Sequence, residues 1–275
     1  FSPRITKKTY NDAYKKIKKY IKDGDIYQIN LTHRLEGYTE QNPRNLFLKT
    51  IKHNRVDYLA YIENDGFEIL SASPERFIKI DQKQIQTCPI KGTRPRAENK
   101  ETDENNKKEL IEDEKESAEL NMITDLLRND LGKIAKRGTV KLEAHRLIKK
   151  CEKVWHTYSK ITAELEKKED KVKALISMLP GGSITGCPKK RAIEIIDELE
   201  IRNRGVYTGV IGYIHPNGTL DFNIAIRTII KKGNNVYLQV GGGIVDDSKM
   251  NNEYQETLDK AKSFMNIIED DNTDK

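Results

Sequence analysis

Thr219-Leu-Asp-Phe-Asn-Ile-Ala-Ile-Arg-Thr-Ile-Ile-Lys-Lys-Gly-Asn-Asn-Val-Tyr-Leu-Gln-Val-Gly-Gly-Gly243 reads as two apolar, β-branched runs joined at Gly233-Asn234-Asn235. Such a turn between such runs is a hairpin signal. The preceding run, Val206 to Ile214, meets Thr219 to Ile230 through Pro216-Asn217-Gly218, a second hairpin. Strands linked this way run antiparallel, so this part of the chain is not built from parallel strands with crossover helices. The three glycines Gly241, Gly242 and Gly243 follow the strand Val236 to Val240 and suit close approach of backbone to a ligand. They are not a dinucleotide fingerprint, which needs another spacing and a helix directly after the strand.

Working outward, Gly181 to Lys190 precedes an amphipathic helix with Ala192, Ile193, Ile196 and Leu199 on one side. Pro188 suits its first turn, and a glycine-rich approach to a helix can offer amide N–H groups to an anion. It is not a P-loop, because Cys187-Pro188 stands where lysine and serine or threonine are required. A last helix, Ser248 to Ile268, buries Tyr254, Leu258, Ala261, Met265 and Ile268. Near the start, Lys7 to Lys22 places Tyr10, Tyr14, Ile17 and Ile21 at helical spacing, with its lysines on the wet face. Gly24 to Tyr38 enters a strand, and Asp57 to Ile62 and Phe67 to Ile80 form a hairpin at Asn64-Asp65-Gly66. Ser73-Pro74-Glu75 interrupts the second of these, marking a bulge or edge that aims Glu75. Gln84 to Ile90 is a strand, Glu101 to Leu131 a helix capped at Gly132, and Thr139 to Glu166 extended again. Lys167 to Lys171 reads as a solvated turn, and Asp270 to Lys275 as a fraying tail.

At 275 residues, with 36% hydrophobic and 33% charged side chains, the chain can bury a sizeable core under a charge-rich surface. Its mean hydropathy of −0.75 agrees with that, and no apolar run reaches membrane-spanning length. The net charge of +6 comes from 49 basic and 43 acidic residues with both signs interspersed. A nucleic-acid module would cluster arginines and base-stacking aromatics, and neither is found. Cys88, Cys151 and Cys187 are odd in number and widely spaced, giving neither a disulfide framework nor a zinc site; a reducing cytoplasm is expected. Phe1-Ser2-Pro3-Arg4 carries neither an initiator methionine nor a signal peptide, so the start reads as a trimmed or excised chain.

Two features carry chemistry. Cys88-Pro-Ile-Lys-Gly-Thr-Arg-Pro-Arg96 sets Lys91 in a loop stiffened by proline and freed at Gly92, so Lys91 is a candidate reactive group; a solvated surface turn is the plainer alternative. Glu116 and Glu119 on one helix, and Glu253 and Glu256 on another, are pairs at i and i+3 that share a face. Hard oxygen donors without histidine or cysteine suit Mg²⁺, although pairs of this form are also common on exposed helices.

The segments Gly24-Asp-Ile-Tyr-Gln, Ser73-Pro-Glu-Arg, Pro89-Ile-Lys-Gly-Thr-Arg-Pro-Arg, Asp113 to Gly132, Gly182-Ser-Ile-Thr-Gly-Cys-Pro-Lys, Arg204-Gly-Val-Tyr-Thr-Gly, Ala225-Ile-Arg and Gly241-Gly-Gly-Ile-Val resemble the chorismate-utilising enzymes. These comprise anthranilate synthase component I, aminodeoxychorismate synthase component I, and the isochorismate and salicylate synthases. The resemblance runs in order from about Tyr20 to Phe264.

It implies an α+β fold, two large antiparallel sheets packed between helices, forming one chorismate-binding catalytic domain over residues 1–275, with the family's N-terminal region largely absent. It implies Mg²⁺ held by Glu116, Glu119, Glu253 and Glu256 against the ring carboxylate. Arg227, Tyr207 and the backbone of Gly241, Gly242 and Gly243 match the grip on the enolpyruvyl carboxylate. Glu75 matches the general acid for the C4 hydroxyl, and His156 and Thr93 match positions lining the ring.

Gln28 stands where family members that add water have a lysine base, which argues against isochorismate and salicylate chemistry. Lys91 stands where anthranilate synthases usually carry alanine and resembles the nucleophile of many aminodeoxychorismate synthases. The resemblance thus implies amination of chorismate at C4, toward para-aminobenzoate and folate. Ammonia would come from a glutamine amidotransferase subunit, component II; neither nucleic acid nor membrane is an expected partner. Anthranilate synthase component I is the nearest rival.

Overall fold

The computed structural model describes residues 1–54, 56–167 and 171–269. In chain order the elements are β1 (Ser2–Pro3), α1 (Lys7–Lys22), β2 (Gln28–Tyr38), α2 (Pro43–His53), β3 (Tyr58–Asn64), β4 (Phe67–Ser73), β5 (Arg76–Asp81), β6 (Gln84–Cys88), β7 (Ile90–Pro95), α3 (Lys100–Glu112) and α4 (Glu114–Gly132). There follow β8 (Lys141–Lys150), β9 (Val154–Glu164), α5 (Lys171–Ser177), β10 (Gly186–Cys187), α6 (Lys189–Leu199), β11 (Val210–Ile214), β12 (Leu220–Ile224), β13 (Thr228–Lys232), β14 (Asn235–Ile244) and α7 (Met250–Glu269). The solvated turn and the tail expected at Lys167 to Lys171 and Asp270 to Lys275 fall largely outside the described residues.

Two compact units result, each interrupted in sequence. The first takes Phe1–Pro74, Ile184–Gly209 and Ala225–Lys275. Its seven-stranded sheet has the order β1-β2-β14-β13-β4-β3, with β10 also on β2, and every pairing is antiparallel. A row that runs across β2, β14, β13 and β4 (Leu35, Leu238, Ile229, Leu70) buries with Leu46 of α2 and Ala261 and Phe264 of α7. Burying each such side chain stabilises by roughly 1.5–3 kcal/mol relative to exposure. Helix α1 starts at an N-cap, Thr6, whose side chain accepts from Thr9 N, and turns Tyr10, Tyr14 and Ile17 inward as its spacing predicts. These meet Ala192 and Ile195 of α6 and Tyr254 of α7. The inward residue of α6 is therefore Ile195, while Ile193 is half-buried.

The second unit takes Glu75–Ser183 and Val210–Ile224. Its seven-stranded antiparallel sheet has the order β11-β12-β5-β6-β9-β7, with β8 on β9. Helix α4 buries Leu120, Ile123, Leu127 and Leu131 and lies against β7 and β9.

Four expectations change. The run Phe67 to Ile80 is two strands in two sheets, broken at Pro74-Glu75. Thr219 to Ile230 is likewise β12 and β13, broken at Ala225-Ile226-Arg227, where Arg227 takes a left-handed φ of 49°. The two breaks are held side by side, with Ala72 N donating to Arg227 O at 3.0 Å and Ile224 N to Glu75 O at 3.1 Å. Glu101 to Leu131 is two helices meeting at Asp113, because that residue ends α3 in extended backbone and caps α4. Gly241 to Gly243 lie inside β14 rather than beyond it, paired with Thr32, Leu31 and Asn30 of β2.

Candidate active site

The loop that carries Lys91 is strand β7, bulged against β9 between Lys91 and Thr93. Gly92 makes the bulge, with φ of 78°; a β-carbon there would run into Thr157 Oγ1 and lie 2.8 Å from Leu110 Cδ1. The Thr157 hydroxyl also donates to Lys91 O, fixing the backbone from which Lys91 projects. The lysine is not a solvated turn residue. Its side chain is 19% exposed and its Nζ lies 3.7 Å from Glu119 Oε2.

Glu116 and Glu119 come to this strand from the first turns of α4. Asp113 is the N-cap, its Oδ1 accepting from Glu116 N at 2.9 Å, so the capping geometry sets where Glu116 starts. Glu116 Oε2 lies 3.4 Å from where a Gly92 β-carbon would be. Arg94, two residues beyond it, pairs with Glu116 at 3.5 Å and donates to Asp113 at 2.6 Å. Thr93 and His156 are joined at 2.9 Å through Oγ1 and Nδ1. His156 Nδ1 also lies 3.3 Å from Gly92 O, which can only accept, so Nδ1 carries the proton in the neutral ring. The second unit thus gathers Lys91, Thr93, Glu116, Glu119 and His156 around the β7 bulge. Glu75 is in this unit too, buried at the chain break before β5.

The first unit holds the remaining candidates. Tyr207 lies in a turn rather than in the strand expected from Val206 onward, and β11 begins only at Val210. Thr208, with φ of 64°, completes that turn, its hydroxyl donating to Tyr207 O at 2.6 Å and its N to Ala225 O at 2.9 Å. Burial pushes the Tyr207 hydroxyl pKa up, so it stays protonated and able to donate. Non-glycine residues in the left-handed region at Thr208 and Arg227 are strained conformations of the kind that collect at functional sites. Gln28, at the start of β2, is 1% exposed, and its Oε1 has no hydrogen-bond partner among the described residues.

Glu253 is buried and Glu256 half-exposed on the first turns of α7. A β-carbon on Gly242 would lie 3.6 Å from Glu253 Oε2 and 3.7 Å from Glu256 Oε1, so both carboxylates converge on this glycine. Burial, and then the charge of Glu253 and Glu256, push the Tyr10 hydroxyl pKa up. Among the described residues, no group of three or more His, Cys, Asp or Glu is placed to hold a metal ion.

Three participants were not singled out from the sequence: Arg94, Asp113 and Lys260. Arg94 lies inside the Cys88 to Arg96 stretch. Asp113-x-x-Glu116 is a legible capping signature. Lys260 follows Glu256 by one helical turn, pairs with it at 2.7 Å and donates to Gly241 O at 2.9 Å.

Comparison with known proteins bears on the family and the fold. A family model for chorismate binding enzymes matches residues 1–266. The chain is 42% identical over 266 residues to anthranilate synthase component 1 of Acetivibrio thermocellus, covering 97% of this chain and 54% of that protein. It is 40% identical over 269 residues to aminodeoxychorismate synthase component 1 of Bacillus subtilis (strain 168), covering 98% and 57%. The crystal structure of anthranilate synthase component I from Streptococcus pneumoniae TIGR4 superposes with a TM-score of 0.87 at 35% identity, over 96% of this chain and 58% of that one. The chain spans about half the length of the curated relatives it matches. With an α+β fold of two antiparallel sheets, and a match that runs nearly end to end, the chain belongs to the family of chorismate binding enzymes.

Proposed function

We propose that this chain aminates chorismate at C4 to give 4-amino-4-deoxychorismate, the aminodeoxychorismate synthase reaction. The observation that carries the reading is Lys91: a lysine on a fixed β-bulge, four-fifths covered, with its amine within 3.7 Å of an acid on the facing helix. A lysine at this place resembles the nucleophile of aminodeoxychorismate synthases, whereas anthranilate synthases usually carry alanine.

In the proposed sequence Lys91 Nζ forms a bond to C2 of chorismate as the double bonds shift and the C4–O bond breaks. Glu75 gives its proton to the departing hydroxyl, which leaves as water; hydroxide unprotonated is a poor leaving group. Ammonia then bonds to C4, the double bonds shift back, and Lys91 is expelled with its electron pair to the nitrogen. The enolpyruvyl group stays on the product. Arg227, the Tyr207 hydroxyl and the amides of Gly241 to Gly243 take the enolpyruvyl carboxylate, with Arg227 offering a charge-assisted fork. His156 and Thr93 line the ring.

Magnesium belongs to the proposal on the chemistry of the donors, taken pair by pair. Glu253 and Glu256 converge on a glycine whose missing side chain leaves room, Glu116 and Glu119 share one helix face, and all four offer hard oxygen donors. When bound, the ion would neutralise the ring carboxylate. Partners follow from the chemistry: a glutamine amidotransferase subunit, component II, supplies ammonia, and the reaction belongs to a cytoplasmic route toward para-aminobenzoate and folate.

Anthranilate formation is the second reading, favoured by the 42% identity to an anthranilate synthase component 1. Lys91→Ala separates the two. With chorismate, Mg²⁺ and ammonium the variant is expected to lose amination by about 100-fold or more. Unchanged turnover would sink the covalent route.

A further inference from the structure

We propose that Glu119 holds the Lys91 amine in reserve, and that a divalent cation taking Glu119 releases it. The inference rests on the reading of Glu116 and Glu119 as cation ligands. Both acids already have a basic partner: Lys91 for Glu119 at 3.7 Å and Arg94 for Glu116 at 3.5 Å. An oxygen that enters a cation's shell must give up, or share, the partner it had.

The two partners would respond differently. Arg94 stays anchored when Glu116 turns away, because it donates to Asp113 at 2.6 Å and to Thr93 O at 3.0 Å. Lys91 has one ion-pair partner among the described residues, Glu119. Its backbone stays fixed by the Thr157 hydroxyl and the Gly92 bulge, so loss of the pair frees only the side-chain torsions. The amine is delivered when the cation arrives and is tied down before. The same exchange acts in reverse: if the cation weakens the Lys91–Glu119 pair, Lys91 weakens cation binding by an equal factor.

Two measurements test this on the whole chain. Calorimetric titration with Mg²⁺ is expected to show Lys91→Met and Lys91→Gln binding about threefold to tenfold more tightly than the parent, the range expected for losing a partly covered competing pair. Acetylation of Lys91, followed by peptide mass spectrometry, is expected to speed up at least about threefold when Mg²⁺ is added, on the same reasoning. Other lysines serve as internal controls. In Glu119→Gln the Lys91 rate should be high from the start and indifferent to Mg²⁺. Mg²⁺ that binds the parent without raising Lys91 acetylation, or that binds Lys91→Met and Lys91→Gln no more tightly, overturns the latch while leaving the ligand reading standing. Mg²⁺ that binds Glu116→Gln/Glu119→Gln as well as the parent overturns the ligand reading, and the latch with it.

Discussion

A β-carbon at position 92 has nowhere to go: φ is 78°, and the space holds the Thr157 hydroxyl and Leu110. Gly92→Ala is therefore expected to cost roughly 2–3 kcal/mol from backbone strain and overpacking, read as a lower urea midpoint. An unchanged midpoint would mean that the bulge is not needed to hold β7. The glycine and the proline beside Lys91 made this loop legible in the sequence, since each limits backbone geometry by itself. The partners of Lys91 were less so. That Glu119 faces it depends on where α4 lies against β7, a long-range fact that no local pattern encodes. Arg94 and Lys260 escaped notice for a related reason: basic residues are frequent in this chain, and only packing separates a positioned one from a solvated one.

At the level of elements, helical apolar spacing located α1, the apolar residues after Gly24 located β2, and the turn Asn64-Asp65-Gly66 located the β3–β4 hairpin. The interruption at Ser73-Pro74-Glu75 was legible, but not that the chain changes sheets there and again at Ala225-Ile226-Arg227, because which strands pair is a long-range fact. Helix α2 went unread, although Asn42 accepting from Arg44 N and Pro43 at the first position are ordinary start signals. The division of α3 from α4 lies at Asp113, which caps the helix that carries Glu116 and Glu119. Asp113→Ala should cost about 1 kcal/mol. It should also weaken Mg²⁺ binding, because Glu116 is placed by that cap; a stability loss with metal affinity untouched would show that the cap does not position the acid.

For the molecule as a whole, length and charge pattern read correctly as a chain able to build a large core, and among the described residues no helix is long and apolar enough to cross a membrane. The division into two units, each assembled from separated segments, was not legible, since it depends on which strands pair. Stability should respond to acid in two stages. Burial of His33 against Thr257 pushes its imidazole pKa down to about 4 from 6.5, so the unfolded chain binds that proton more readily. A depressed histidine leaves stability whole above about pH 6.5 and erodes it toward pH 4, by on the order of 3 kcal/mol. Arg96 holds Asp103 at about 2 against an ordinary 3.8, so its contribution is present above 3.8 and is lost as pH falls toward 2. Urea unfolding at pH 7.5 and pH 4.5 reads the first stage, and His33→Gln should flatten it. An equal slope in the variant would assign the loss to other groups.

Whether this molecule makes 4-amino-4-deoxychorismate is decided by what accumulates when it is given chorismate, ammonium and Mg²⁺. Mass analysis of the products should find an aminated chorismate that keeps its enolpyruvyl group, with no pyruvate released and no anthranilate fluorescence. Fluorescent anthranilate with pyruvate in equal amount would contradict the assignment and make Lys91 a bystander to the other amination.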